Sequence, residues 1–191
     1  MIRAGLLLLL LGGTSVRAAD DIKIWSEKVA GSDLPFAVVE AVIDAPPARV
    51  WELVSHCNNY VRTMPRIVES KELAREGSDL AFTTTCRVVA DLPFPLSDLT
   101  SVSKAVHVVE PDQLYMRKFS FVAGDYEINE GAWLLLAFDG GRKTKVNYRL
   151  RAKPKFPLPD AMLASFQQQA LPDLIKRLRE LTAVPASPPK P

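Results

Sequence analysis

The sequence predicts an α+β fold: one large antiparallel sheet with a long helix at the C-terminal end. Three observations lead there. The stretch Ile43 to Pro65, IDAPPARVWELVSHCNNYVRTMP, leaves an alternating strand (Phe36–Ile43) and then spaces Ala48, Val50, Trp51, Leu53 and Val54 as a helix does. About six strand-like segments follow, separated by turn residues, and a single amphipathic segment begins at Asp160. Two short helices followed only by strands is not the alternation that builds a parallel sheet.

The first residues read as an export signal over residues 1–18. Arg3 supplies a positive start, Ala4 to Leu11 is apolar, and Val16-Arg17-Ala18 places small residues at −3 and −1 of a cleavage point. The apolar run is too short to span a bilayer, which takes roughly 20 residues. No Cys stands near the cleavage point, which argues against a lipoprotein anchor, and a periplasmic or secreted location is expected. Residues 19–184 then form one domain, large enough for a real core. Residues 185–191 hold four prolines and are expected to be disordered.

Formal net charge is +2, and Arg3 and Arg17 would leave with the signal. That reduces 24 basic residues to 22, against 22 acidic ones. A neutral domain offers no electrostatic case for nucleic acid, and at most a transient contact with a membrane surface. A monomer is expected.

In order along the chain, Ile22–Val29 is a short, imperfectly alternating strand, Gly31-Ser32-Asp33 a turn, and Phe36–Ile43 the next strand. Pro46-Pro47 suits a first helical turn, where the missing N–H would be unpaired anyway. After the break at His56-Cys57-Asn58-Asn59 a second short helix ends at Met64-Pro65. Ile67–Leu73 and Leu80–Ala90 are strands, the second with Phe82, Thr84, Cys86 and Val88 on one parity. The prolines of Leu92–Leu96 interrupt the ladder, as a lip over a pocket or as a rigid connector. Leu99–Val109 continues. Leu114–Val122 puts Tyr115, Arg117, Phe119 and Phe121 on one face, and Ala123-Gly124-Asp125 turns the chain into Tyr126–Phe138. Asp139-Gly140-Gly141 is a hairpin turn of the kind that needs positive φ. Lys143–Ala152 alternates cleanly, with Thr144, Val146, Tyr148, Leu150 and Ala152 inward. In the last helix Leu163, Phe166, Ala170, Leu174, Leu178 and Leu181 form the apolar stripe, and Pro172 is expected to kink it.

Chemistry-bearing residues are few. The two histidines, His56 and His107, and the two cysteines, Cys57 and Cys86, show no metal-ligand spacing beyond the adjacent His56-Cys57. No glycine-rich phosphate loop or nucleophile elbow occurs. An exported chain permits a disulfide between Cys57 and Cys86, though Cys86 also reads as a small buried residue.

Ala45-Pro46, Val50-Trp51, Tyr60 and Pro65, with Gly131-Ala132-Trp133, Gly140-Gly141, Tyr148 and the prolines after Pro154, resemble the START-like / polyketide cyclase-like (SRPBCC) helix-grip superfamily. Ile22–Ser32 resembles the extra leading strand of its START type, and the chain looks like an exported bacterial member. The resemblance runs from Ile22 to Val184. It implies a curved antiparallel sheet wrapped around a long C-terminal helix, with two short helices after the first core strand. It also implies binding, and carriage, of a hydrophobic small molecule or lipid in an internal cavity, with no cofactor. A cyclase- or hydrolase-like enzyme is the alternative, using Arg117, Glu130, Tyr148 or His107 as scattered polar groups. A third reading is a groove for a protein partner.

One helix cannot fill a strongly bent sheet, so the architecture leaves a space lined by inward strand residues. Candidate lining residues are Phe82, Thr84, Val88, Tyr115, Phe119, Phe121, Leu134, Leu136, Tyr148, Leu163 and Phe166; the competing reading is that they fill a solid core. Arg117, a charge on an apolar parity, falls opposite Glu130 if the Ala123-Gly124 turn is tight. That pair is either a rim salt bridge or an anchor for a ligand headgroup.

Overall fold

The computed structural model describes residues 22–92 and 96–183. The leader over 1–18, the tail over 185–191 and the Pro93-Phe94-Pro95 part of the interrupting segment lie outside the described residues.

Eight strands form an antiparallel sheet: β1 (Lys23–Val29), β2 (Ser32–Ile43), β3 (Ile67–Gly77), β4 (Ala81–Ala90), β5 (Leu99–Glu110), β6 (Leu114–Gly124), β7 (Tyr126–Phe138) and β8 (Lys143–Pro154). Their order across the sheet is β1-β2-β8-β7-β6-β5-β4-β3. The long meander from β3 to β8 thus returns to lie beside β2. Asp139, Gly140 and Gly141 take φ of 51°, 66° and 82°, as the sequence of that turn demands. β2 starts at Ser32, earlier than expected, so the first turn shrinks to the residues around Gly31.

Between β2 and β3 lie α1 (Pro47–Ser55), a 3₁₀ turn (Cys57–Asn59) and α2 (Tyr60–Thr63). The last helix, α3 (Asp160–Ala183), continues through Pro172 and packs against β2 and β8. Its buried stripe is Leu163, Leu171, Leu174, Ile175 and Leu178. Phe166, expected in that stripe, is 55 % exposed. The stripe passes instead through Gln167, whose amide accepts from the Ala152 N–H and donates to the Ala152 carbonyl, both at 3.0 Å. The reason lies on β2. By the register of Ala37 with Leu150, Pro35 comes opposite Ala152 and has no N–H to offer. A polar side chain facing the sheet at this point leaves Phe166 on the far side of the helix.

Two further calculations from sequence meet a different register. β6 and β7 pair from Leu114–Leu136 to Phe119–Gly131. Arg117 therefore stands opposite Trp133, and Glu130 points to the other face, where it pairs with Arg151 Nε at 3.0 Å. The shift is odd in residue number, so it reverses the face. The same reversal places Leu134 and Leu136 on the outer, convex face, in register with Asn147 and Lys145, while Trp133 and Leu135 are buried inside.

The core occupies one half of the concave face. There Trp51 of α1 sits edge-on to His107 and tilted against Tyr115, each with ring centres 5.6 Å apart, and His107 stacks on Phe82 at 4.1 Å. Ile43, Val50, Leu53, Ala105, Leu135 and Val146 complete this packed half.

Candidate functional site

Where α1 does not reach, the concave face is hollow. A cavity of about 260 Å³ remains there, lined by the residues at one end of each inward-facing row. The strands contribute Val88 and Ala90 from β4, Leu99, Ser101 and Ser103 from β5, Arg117 and Phe119 from β6, Tyr126, Asn129 and Trp133 from β7, and Tyr148, Leu150 and Ala152 from β8. Ala170, Leu171 and Leu174 of α3 form the roof, and Tyr60, Met64, Pro65 and Ile67 one wall.

Of the residues expected at the site, Val88, Arg117, Phe119 and Tyr148 line this space. Phe82, Thr84 and Tyr115 share their inward parity but belong to the packed half, Tyr115 against Trp51 of α1, Phe82 stacked on His107 and Thr84 hydrogen-bonded to that imidazole. Phe121 is half-buried outside the lining, in ring contact with Tyr126 at 6.5 Å. Leu163 is buried outside the lining as well. Leu134, Leu136, Glu130 and Phe166 lie away from it for the reasons given above. Tyr60 both lines the site and packs: its ring borders the cavity and its hydroxyl donates to the Val54 carbonyl at 2.9 Å. Ser101, Ser103 and Asn129 were missed. The serines carry a legible signal, since they alternate with Ala105 and His107 on one parity of β5. Asn129 Nδ2 donates to Ser101 Oγ at 2.6 Å, linking β7 to β5 across the floor.

Arg117 is the one charged residue in this lining, and it is 4 % exposed. Its guanidinium lies 4.9 Å from the Phe119 ring centre and 5.4 Å from that of Tyr60. Among the described residues it forms no salt bridge with a carboxylate, and its Nε has no hydrogen-bond partner. Aromatic faces stabilise a cation only in part, about 2 kcal/mol when desolvated, whereas burying an ion costs several.

The neighbouring groups are held neutral. Burial pushes the Tyr148 hydroxyl up to about 12, against the opposing pull of Arg117. Its ring stacks on Trp133 with centres 3.9 Å apart. His107 is hydrogen-bonded through Nε2 to Thr84 Oγ1 at 3.0 Å and lies behind Phe82 and Trp51 rather than on the cavity. Burial, reinforced by Arg117 and Arg75, pulls its imidazole down to about 3. Arg117, Glu130, Tyr148 and His107 therefore do not converge as an acid–base set. Cys57 and Cys86 lie together with Tyr60 in a buried cluster, as free thiols in hydrogen-bonding contact. That contact holds Cys86 below its ordinary thiol range and, with burial, pushes Cys57 up. Among the described residues, no three His, Cys, Asp or Glu side chains gather in a way that could hold a metal ion.

The cavity shares Met64, Pro65 and Ile67 with a surface groove between α2 and α3, which is lined further by Val61, Arg62, Arg66, Asp173, Lys176, Arg177 and Glu180. Arg66, at the turn between them, has φ of 61°. It is held there by Asp91, whose N–H donates to the Arg66 carbonyl at 2.8 Å and whose carbonyl accepts from Arg66 Nε at 3.0 Å. Across the groove Arg177 Nε donates to the Arg62 carbonyl at 3.0 Å.

Comparison with solved structures gives the same fold. A STAR-related lipid transfer protein fragment from Xanthomonas axonopodis superposes with a TM-score of 0.73 over 88 % of this chain and 97 % of its own, at 19 % identity. Human StAR-related lipid transfer protein 5 gives 0.68 over 87 % and 88 %, at 12 % identity. The Zhui aromatase/cyclase from Streptomyces sp. R1128 gives 0.56 over 77 % and 90 %, also at 12 % identity. At these identities the likeness is one of fold. No curated protein sequence matches the chain. The sequence model of the family described as polyketide cyclase / dehydrase and lipid transport matches residues 43–179. With that match spanning most of the chain, and with an eight-stranded sheet closed over a long C-terminal helix, the protein belongs to the START-like polyketide cyclase / dehydrase and lipid transport family.

Proposed function

We propose that the protein binds a hydrophobic small molecule or lipid in the cavity beneath α3 and carries it, as an exported protein acting in the periplasm or outside the cell. The observation that supports this most is the partition of the concave face. Trp51 and its neighbours fill one half, while the other half keeps a 260 Å³ space whose walls are mostly aliphatic and aromatic. Burying ligand methylenes there contributes about 0.8 kcal/mol each. The family description names lipid transport, and two of the superposed structures are titled lipid transfer proteins, which fits the same reading.

Entry is by the groove shared at Met64, Pro65 and Ile67, with α3 and the turn at Arg66 as the moving parts. The protein works as a monomer that touches a membrane surface only transiently to load or unload. Native mass spectrometry of protein purified from its own compartment tests the reading. A co-purifying apolar species released by solvent extraction is expected, together with a lower Tm after extraction. Protein that emerges empty, and binds none of a panel of acyl, sterol and quinone ligands, would overturn it.

A further inference from the structure

Arg117 sets a condition on the ligand. It is buried, it borders the cavity, and among the described residues no carboxylate pairs with it. What faces it is neutral. Across the ladders stand His107, which stays uncharged, and Trp133; above it are the rings of Tyr60 and Phe119. Burial pushes the Tyr60 and Tyr148 hydroxyls up, and the hydrogen bond between Cys57 and Cys86 pushes the Cys57 thiol up while holding the Cys86 thiol below its ordinary range. The site therefore offers one positive charge and an orphaned N–H donor, with no carboxylate among the described residues to pair with it.

We infer that the ligand is a single-chain amphiphile bearing a monocarboxylate, seated on Arg117 with its chain running into the hollow half. This rests on the cavity-binding reading above and specifies its ligand class. A planar guanidinium matches a carboxylate through two parallel N–H···O bonds. One cation balances a monoanion, whereas a phosphate monoester would bring a second charge with nothing to meet it. Size points the same way. At about 30 Å³ per heavy atom, the share of a water molecule in the liquid, the space holds roughly nine such atoms, the scale of a medium-length acyl chain.

Decanoate and 1-decanol share a chain and differ in the charged headgroup, so calorimetric titration of both into the full protein at neutral pH isolates the term. Decanoate is expected to bind at least about tenfold more tightly, the scale of a hydrogen-bonded charge. Arg117→Met should bring the two within about twofold, and Arg117→Lys should keep a preference for the acid. Because a buried position is altered, a second measurement uses unmodified protein: the carboxyl resonance of bound [1-¹³C]decanoate should titrate well below its range in water. Equal binding of acid and alcohol, an unchanged preference in Arg117→Met, or a water-like carboxyl titration overturns the inference and leaves cavity binding standing. Failure of both compounds to bind overturns the inference and the cavity reading together.

Discussion

His107 on β5 and Arg117 on β6 are cross-strand partners, 0 % and 4 % exposed, and only one of them is charged. The sheet tolerates the pair because the imidazole refuses a proton until about pH 3, where an ordinary histidine accepts one near 6.5. Below 6.5 the unfolded chain therefore binds a proton that the folded chain does not, and stability falls as the pH drops through that window. Between pH 7 and pH 4.5 this one group should cost about 2–3 kcal/mol, at about 1.4 kcal/mol per unit. Urea unfolding at the two pH values, for the wild type and for His107→Gln, checks it. The wild type should lose more than the variant by that amount, and parallel losses would refute the assignment.

Gly131 sits under the Phe119 ring at the point where the β6–β7 pairing ends. A Cβ there would collide with the Arg149 carbonyl and come within 2.7 Å of Phe119 Cζ. Gly131→Ala should destabilise the fold by about 1–3 kcal/mol, as overpacking does. It should also weaken binding of apolar ligands, since the ring it displaces lines the cavity. Thermal unfolding and ligand titration of the variant report the two effects separately.

The facing of β7 gives a sharper contrast. Trp133→Ala empties a site that is 1 % exposed and stacked on Tyr148, and should cost about 3–5 kcal/mol. Leu134→Ala, one residue on but on the outer face, should cost about 1 kcal/mol or less. Denaturant midpoints decide it, and a larger loss for Leu134→Ala would mean the register described for β6, β7 and β8 is wrong.

The bond from Arg177 to the Arg62 carbonyl spans the groove that leads into the cavity. It lies at the surface and carries little of the fold's stability. Arg177→Gln should raise the release rate of a bound fluorescent fatty acid about three- to tenfold, the kinetic equivalent of one hydrogen bond, with Tm nearly unchanged. Stopped-flow displacement measures this. An unaltered release rate would place the exit elsewhere.

Much of this fold was legible in the sequence, and the reasons are local. β8 alternates without exception and shows its inner face, Thr144 to Ala152, as it stands in the structure. Asp139-Gly140-Gly141 declares its own turn. Local pattern fails in β7, where Trp133, Leu134, Leu135 and Leu136 are apolar in succession and a period of two has nothing to read. It fails again at Glu130, whose partner depends on a hairpin register that the turn residues left open. In α3, Phe166 looked like part of the stripe because the demand of Ala152 for a partner arises from Pro35, far away in sequence. The division between packed and hollow halves is likewise a long-range property: nothing within β4 or β6 tells that Phe82 stacks on His107 and Tyr115 meets Trp51 while Val88 and Phe119 border a cavity.

That division gives Trp51 an effect larger than its own contacts. The inward rows run the length of every central strand, so the sheet by itself could enclose a longer molecule. The indole fills the packed half against His107 and Tyr115, and it comes from a helix that belongs to no strand ladder. A narrower side chain at this one position would open space in the packed half while every strand keeps its register. How much of the concave face is filled is thus set from α1, with no change in any strand ladder.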